Sequence, residues 1–186
     1  MSWFNAKRNV LNGRDQASVS EVVACFRDER DLLFPLALLI AGDKATAEQS
    51  VVNACDMTVQ GQSPFRDWLT EWAKSSTIMS AISKTVDAIR SCEPAYKDLR
   101  CLHSEHRSQG EAERRMSFLV GIDPSIIVAE LDPLARSVLV LRTAIGASIQ
   151  DCALRLNVSR SIVLAANCRA MTWLRDIQLQ HHPECG

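Results

Sequence analysis

The 186-residue chain is poor in aromatics, at 5%, and nowhere alternates Val, Ile or Thr with polar residues between hairpin turns. Sandwiches and barrels need that alternation, so their absence favours an all-helical fold. Long apolar runs are missing as well: the longest, Leu32 to Ala41, falls well short of the roughly 20 residues that cross a bilayer. Met1 to Arg8 lacks the charged-then-apolar order of a signal peptide, so no membrane association is expected. Seven Cys, an odd number with no Cys-x-x-Cys pair, argue against a secreted disulfide framework and for a cytoplasmic protein whose thiols are free and partly buried. There is no Gly-rich phosphate loop, no Gly-x-Ser-x-Gly turn and no His-Glu-x-x-His. An enzyme is not expected, nor is any cofactor.

A strong positive charge is lacking too, since the net charge is -1. Residues 131–186 alone are basic, with 6 cations against 4 anions, all six of them Arg. Autonomous DNA binders draw most of their affinity from neutralised phosphates, so a chain this weakly basic is expected to meet DNA with help from a larger assembly.

What is present is helical periodicity punctuated by Gly and Pro, dividing the chain into roughly eight helices. Residues 1–17 are polar and read as frayed; Ser18-x-x-Glu21 is a capping box that opens the fold. A helix from about Leu32 to Ala41 ends at Gly42-Asp43. Another runs from Thr46, its expected cap, to about Val59. The next inserts Phe65, Trp68, Leu69 and Trp72 into the core, and one near Ile78 to Ile89 completes a four-helix unit over residues 18–91. Residues 92–123 read as a connector, with a helix at about Glu111 to Val120. Asp123-Pro124 and Asp132-Pro133 each pair a cap with Pro at the first helical position.

The densest signal lies between Leu131 and Leu174. Gly146 closes one helix, Ser148 caps the next, and Ile149, Cys152, Ala153 and Leu156 share an apolar face. Asn157-Val158 makes a turn, and Ser159 caps a last helix carrying Ile162, Val163, Ala166, Ala170 and Leu174 along its inner side. This spacing is that of a DNA-binding helix-turn-helix over residues 124–178. Arg160, Ser161 and Asn167 then become candidates for base or phosphate contact, with Leu164 and Ala165 in the same stretch and Arg169 within reach of phosphate.

Twelve residues of this segment, Leu131, Pro133, Leu134, Arg136, Leu141, Gly146, Leu156, Val158, Ser159, Val163, Arg169 and Ala170, resemble region 4 of sigma-70 factors of the extracytoplasmic-function type. Upstream, Leu32 to Asp56 and Phe65 to Ser76 resemble region 2 of the same family. The resemblance implies an all-α protein, a region 2-like bundle joined by a connector to a region 4-like unit. It further implies a transcription initiation factor that binds promoter DNA and core RNA polymerase, under the control of an anti-sigma or other regulatory protein. Leu164-Ala165-Ala166 departs from the Lys, Ser and Arg usual in the family. That departure supports an alternative, a degenerate sigma-like protein acting through protein–protein contact without promoter recognition.

Three other groupings are weaker. Trp68 and Trp72, one turn apart, read as core packing ahead of a stacking platform for unpaired bases. Glu48, Asp56, Asp67 and Glu71 mark either a polymerase-binding face or a solvated one. Cys101, His103 and His106, like His181, His182 and Cys185, have metal-ligand chemistry without a complete ligand set, and no metal site is expected.

Overall fold

Most helices of this fold open on a short polar cap. In the computed structural model, which describes residues 16–61, 64–99 and 122–181, the first helix α1 (Val19–Asp28) opens on Ser18. The Ser18 hydroxyl accepts from the Glu21 amide at 3.3 Å while the Glu21 carboxylate accepts from the Ser18 amide at 2.8 Å, the reciprocal box expected. Ala17, expected to be frayed, is instead buried, and its amide donates to the Pro64 carbonyl. α2 (Arg30–Ala41) follows directly and stops at Gly42 in the left-handed region, φ 83°.

α3 (Lys44–Gln60) is capped by Asp43 rather than by Thr46: the Asp43 carboxylate accepts from the Thr46 amide at 2.8 Å. The carboxylate is the stronger acceptor and sits three residues before the amide it serves, so Thr46 falls inside the first turn. After a 3₁₀ turn at Arg66–Trp68, α4 (Leu69–Lys84) is longer than expected. Nothing between Ala73 and Ile78 breaks a helix, so the segment does not divide there. It breaks instead at Thr85, whose hydroxyl turns back to the Ala81 carbonyl at 2.8 Å. α5 (Val86–Ser91) and a 3₁₀ turn at Glu93–Tyr96 follow.

The second half holds α6 (Pro124–Glu130), α7 (Pro133–Ala144), α8 (Ile149–Leu156) and α9 (Arg160–His181). Asp123 and Asp132 cap α6 and α7, each followed by Pro at the first helical position. The fold is all-α: among the described residues every regular element is helical, with one isolated bridge between Gln16 and Phe65. None of these helices is long and apolar enough to cross a membrane. The helix expected at Glu111 to Val120 lies outside the described residues.

A small core gathers Val22, Phe26, Leu33, Ala54, Leu69 and Ala73 between α1, α2, α3 and α4. The larger one is continuous across the expected connector, with Leu36, Ile40, Ile78 and Ile89 from the first half beside Leu134, Leu141, Leu156, Val163 and Leu174 from the second. α7 runs through the middle of it, buried on every side from Leu134 to Thr143.

At the junction lies Arg136, only 5% exposed. Its Nη1 donates to the carbonyls of Val128 at 3.1 Å and Leu131 at 2.9 Å, and its Nη2 to that of Ile40 at 3.5 Å. These carbonyls end α6 and α2, where backbone acceptors lack intrahelical donors and the helix dipoles are negative. Both terminal nitrogens of the guanidinium thus donate to two helix C-termini. Gly42 makes the approach possible, since a Cβ there would stand 2.9 Å from Nη2 in addition to the strain of its positive φ.

Arg136→Met should therefore leave three carbonyls short of a donor and lower unfolding stability by about 3 kcal/mol, measured by urea denaturation. A second expectation concerns pH. The Ser18 amide, then Arg66, hold the Glu21 carboxyl down at about 2 instead of the usual 4.5, with Arg66 Nε 2.7 Å from Oε1. A depressed folded-state pKa gives stability that is present above the unfolded value and lost as pH falls toward the folded one. The thermal midpoint of the wild type should drop between pH 4.5 and 2 more steeply than that of Glu21→Gln.

Candidate nucleic-acid interface

The helix-turn-helix is built from its caps. Ser148 and Asp151 form a second reciprocal box at the start of α8: the Ser148 hydroxyl accepts from the Asp151 amide at 3.0 Å, and the Asp151 carboxylate from the Ser148 amide at 3.1 Å. The Ser148 hydroxyl, donating to the carboxylate at 2.7 Å, and then the Ser148 amide hold the Asp151 carboxyl below its ordinary range. Gly146, at φ 71°, turns the chain after α7, and the buried Arg142 donates to the Ala147 carbonyl at 3.1 Å. Asn157 ends α8 in the left-handed region at φ 52°, ψ 45°. The Val158 amide returns to the Ala153 carbonyl, and the Ser159 hydroxyl accepts from the Ile162 amide at 3.4 Å to start α9. Ile149, Cys152, Ala153 and Leu156 on α8 and Ile162, Val163, Ala166, Ala170 and Leu174 on α9 are all buried, as their spacing implies.

The six candidate DNA contacts do not form one uniform surface. Arg160 and Ser161 are exposed at the first turn of α9. Leu164 is half-buried and packs on the main core, and Ala165 is only 3% exposed. Asn167 is half-buried, with its Oδ1 lacking a partner. Arg169 is exposed but engaged: its Nη1 lies 3.1 Å from Asp132 Oδ2. That same oxygen accepts from the hydroxyl of Tyr96, while Oδ1 takes the Leu134 and Ala135 amides at 3.0 Å each. Burial, then the Asp132 carboxylate, hold the Tyr96 phenol protonated well above its ordinary range. The Asp132-Pro133 cap is legible in the sequence. Its partners on the 3₁₀ turn and on α9 are not, because nothing local pairs residues 36 or 37 positions apart.

The aromatic residues of the first half are a correction. Trp68 is 69% exposed, Trp72 48% and Phe65 40%, so these three rings are not core residues. Leu69, Ala73 and Thr77 form the buried stripe of α4, and Trp68 and Trp72 sit one residue out of phase with it. That phase is the signal that identifies them as surface residues. Phe65 meets Trp68 edge-on at 6.2 Å, and Trp72 Nε1 donates to the Thr58 hydroxyl at 3.2 Å. Asp56, Met57, Asp67 and Glu71 are exposed nearby in the chain. The neighbouring cations are occupied, Arg66 by Glu21 and Lys74 by Glu71.

Cys25, Cys55, Cys92 and Cys152 form no disulfide, and burial pushes the thiols of the first three above their ordinary range. Cys168 is disulfide-bonded, so the expectation of free thiols throughout fails there. No three His, Cys, Asp or Glu side chains gather in metal-binding fashion among the described residues. Cys101, His103 and His106, with His182 and Cys185, lie outside them, as does the side chain of His181.

Comparison with protein-family models, with curated proteins and with solved structures gave no match. The site is therefore read from its own geometry. Asn157→Ala should cost about 1 kcal/mol because alanine resists the left-handed turn, whereas Asn157→Gly should stay close to wild type. Thermal melts of the two variants check this.

Proposed function

We propose that the chain is a sigma-70-like transcription initiation factor. In this reading it approaches promoter DNA through the first turn of α9 and core RNA polymerase through the aromatic and acidic surface of its first half. The observation that carries the reading is the turn itself: a capped α8, a left-handed Asn157 and a Ser159-capped α9 leave Arg160 and Ser161 exposed together at a helix N-terminus. Backbone amides, the helix dipole and a guanidinium at such an end suit a phosphate. Exposed Trp68, Trp72 and Phe65 beside Asp67 and Glu71 suit a protein partner better than single-stranded DNA, because aromatic side chains anchor protein interfaces while carboxylates repel phosphate. A factor of this kind acts in the cytoplasm.

A second reading is supported by Ala165 and Arg169. One is buried and the other is already paired, which leaves little of α9 for direct readout of bases. In this alternative the protein works through an anti-sigma or other regulatory protein without recognising a promoter.

Fluorescence anisotropy with labelled promoter fragments, at several salt concentrations, tests the first reading on the full chain. Arg160→Ala should weaken binding several-fold and flatten the salt slope by about one. Trp68→Ala should reduce co-elution with core RNA polymerase while leaving the thermal midpoint unchanged. Absence of DNA binding together with capture of a regulatory protein would favour the second reading.

A further inference from the structure

Asp132 is placed to do more than cap α7. Its Oδ1 is held by the Leu134 and Ala135 amides, and its Oδ2 is shared between the Tyr96 hydroxyl and the Arg169 guanidinium. Tyr96 is almost completely buried and the α7 backbone lies in the core, so the carboxylate is fixed on three sides. The Arg169 side chain, by contrast, is 48% exposed. One partner of this ion pair is immobile and the other has room to leave.

We propose that Asp132 is an internal competitor for the DNA backbone: it holds Arg169 in the unbound protein, and a phosphate oxygen replaces it when α9 meets DNA. Carboxylate and phosphate offer a guanidinium the same charge-assisted geometry, so the exchange conserves hydrogen bonds. An ion pair with one half-exposed partner is also weak enough to give way to a polyanion. The structural arginine of this region is different, since Arg136 is enclosed by helix-terminal carbonyls and only 5% exposed. This inference rests on the DNA-binding reading and adds to it a built-in threshold, under which weak anions leave Arg169 in place and a correctly docked duplex does not.

Asp132→Asn tests it on the full chain. Asparagine still caps a helix through Oδ1, and its Nδ2 can donate to the Tyr96 hydroxyl oxygen, so the fold should persist, with a thermal midpoint near that of the wild type. Anisotropy titrations with a promoter duplex should show several-fold tighter binding and a salt slope steeper by about one, because another phosphate contact forms in place of the ion pair. Asp123→Asn, an equal charge change at the cap of α6, should show neither effect. Adding Arg169→Ala to Asp132→Asn should erase the gain. Binding and slope unchanged in Asp132→Asn, or an equal gain in Asp123→Asn, would overturn the competitor role while leaving DNA binding intact. Failure of all four proteins to bind DNA would overturn both.

Discussion

One guanidinium joins the halves of this molecule. Arg136 stands where α2 and α6 both end, and it satisfies carbonyls that water would otherwise have to reach. Burying a cation is costly unless its donors are matched, and two helix C-termini supply the match together with favourable dipoles. Its Nε is the one donor left without a partner. Burial pushes the Arg136 pKa down, and the neighbouring Asp132 carboxylate acts against that.

The candidate site inherits its geometry from this joint. Arg136 fixes α7, whose N-cap carries the carboxylate that meets Arg169 and whose last turn carries the Arg142 that holds the turn into α8. α8 and α9 then pack back on α7 through Ile149, Leu156, Val163 and Leu174. The helix-turn-helix is therefore not an appendage on a tether. Its position depends on a core to which Leu36, Ile40, Ile78 and Ile89 of the first half also contribute.

Local chemistry was the legible part of this chain. Ser18, Asp123, Asp132, Ser148 and Ser159 all cap where their spacing implies, because a cap is decided within four residues. The buried stripes of α8 and α9 follow from period alone. What escaped is tertiary or depends on phase. Size points the two Trp residues inward, whereas the phase of Leu69 and Ala73 turns them out. Arg136 follows Pro133-Leu134 at a legible helix start, yet the Ile40 carbonyl it reaches is 96 residues away. The burial of Ala165 and the pairing of Arg169 with Asp132 likewise arise between helices, where a pattern of apolar and polar residues along one helix carries no information. Asp43 displaced Thr46 as a cap for a smaller reason: both suit the role, and only the backbone decides which stands at the boundary.

If one core unites the halves, the protein should open as a unit. Native-state hydrogen exchange measures this directly, by following amides of α2 and α4 alongside those of α7 and α9 as denaturant is added. The account predicts that the slowest amides of all four helices converge on a single opening free energy, and that Arg136→Met lowers it for both halves together. Separate plateaus, with α7 and α9 opening while α2 and α4 stay protected and Arg136→Met affecting only one set, would contradict it.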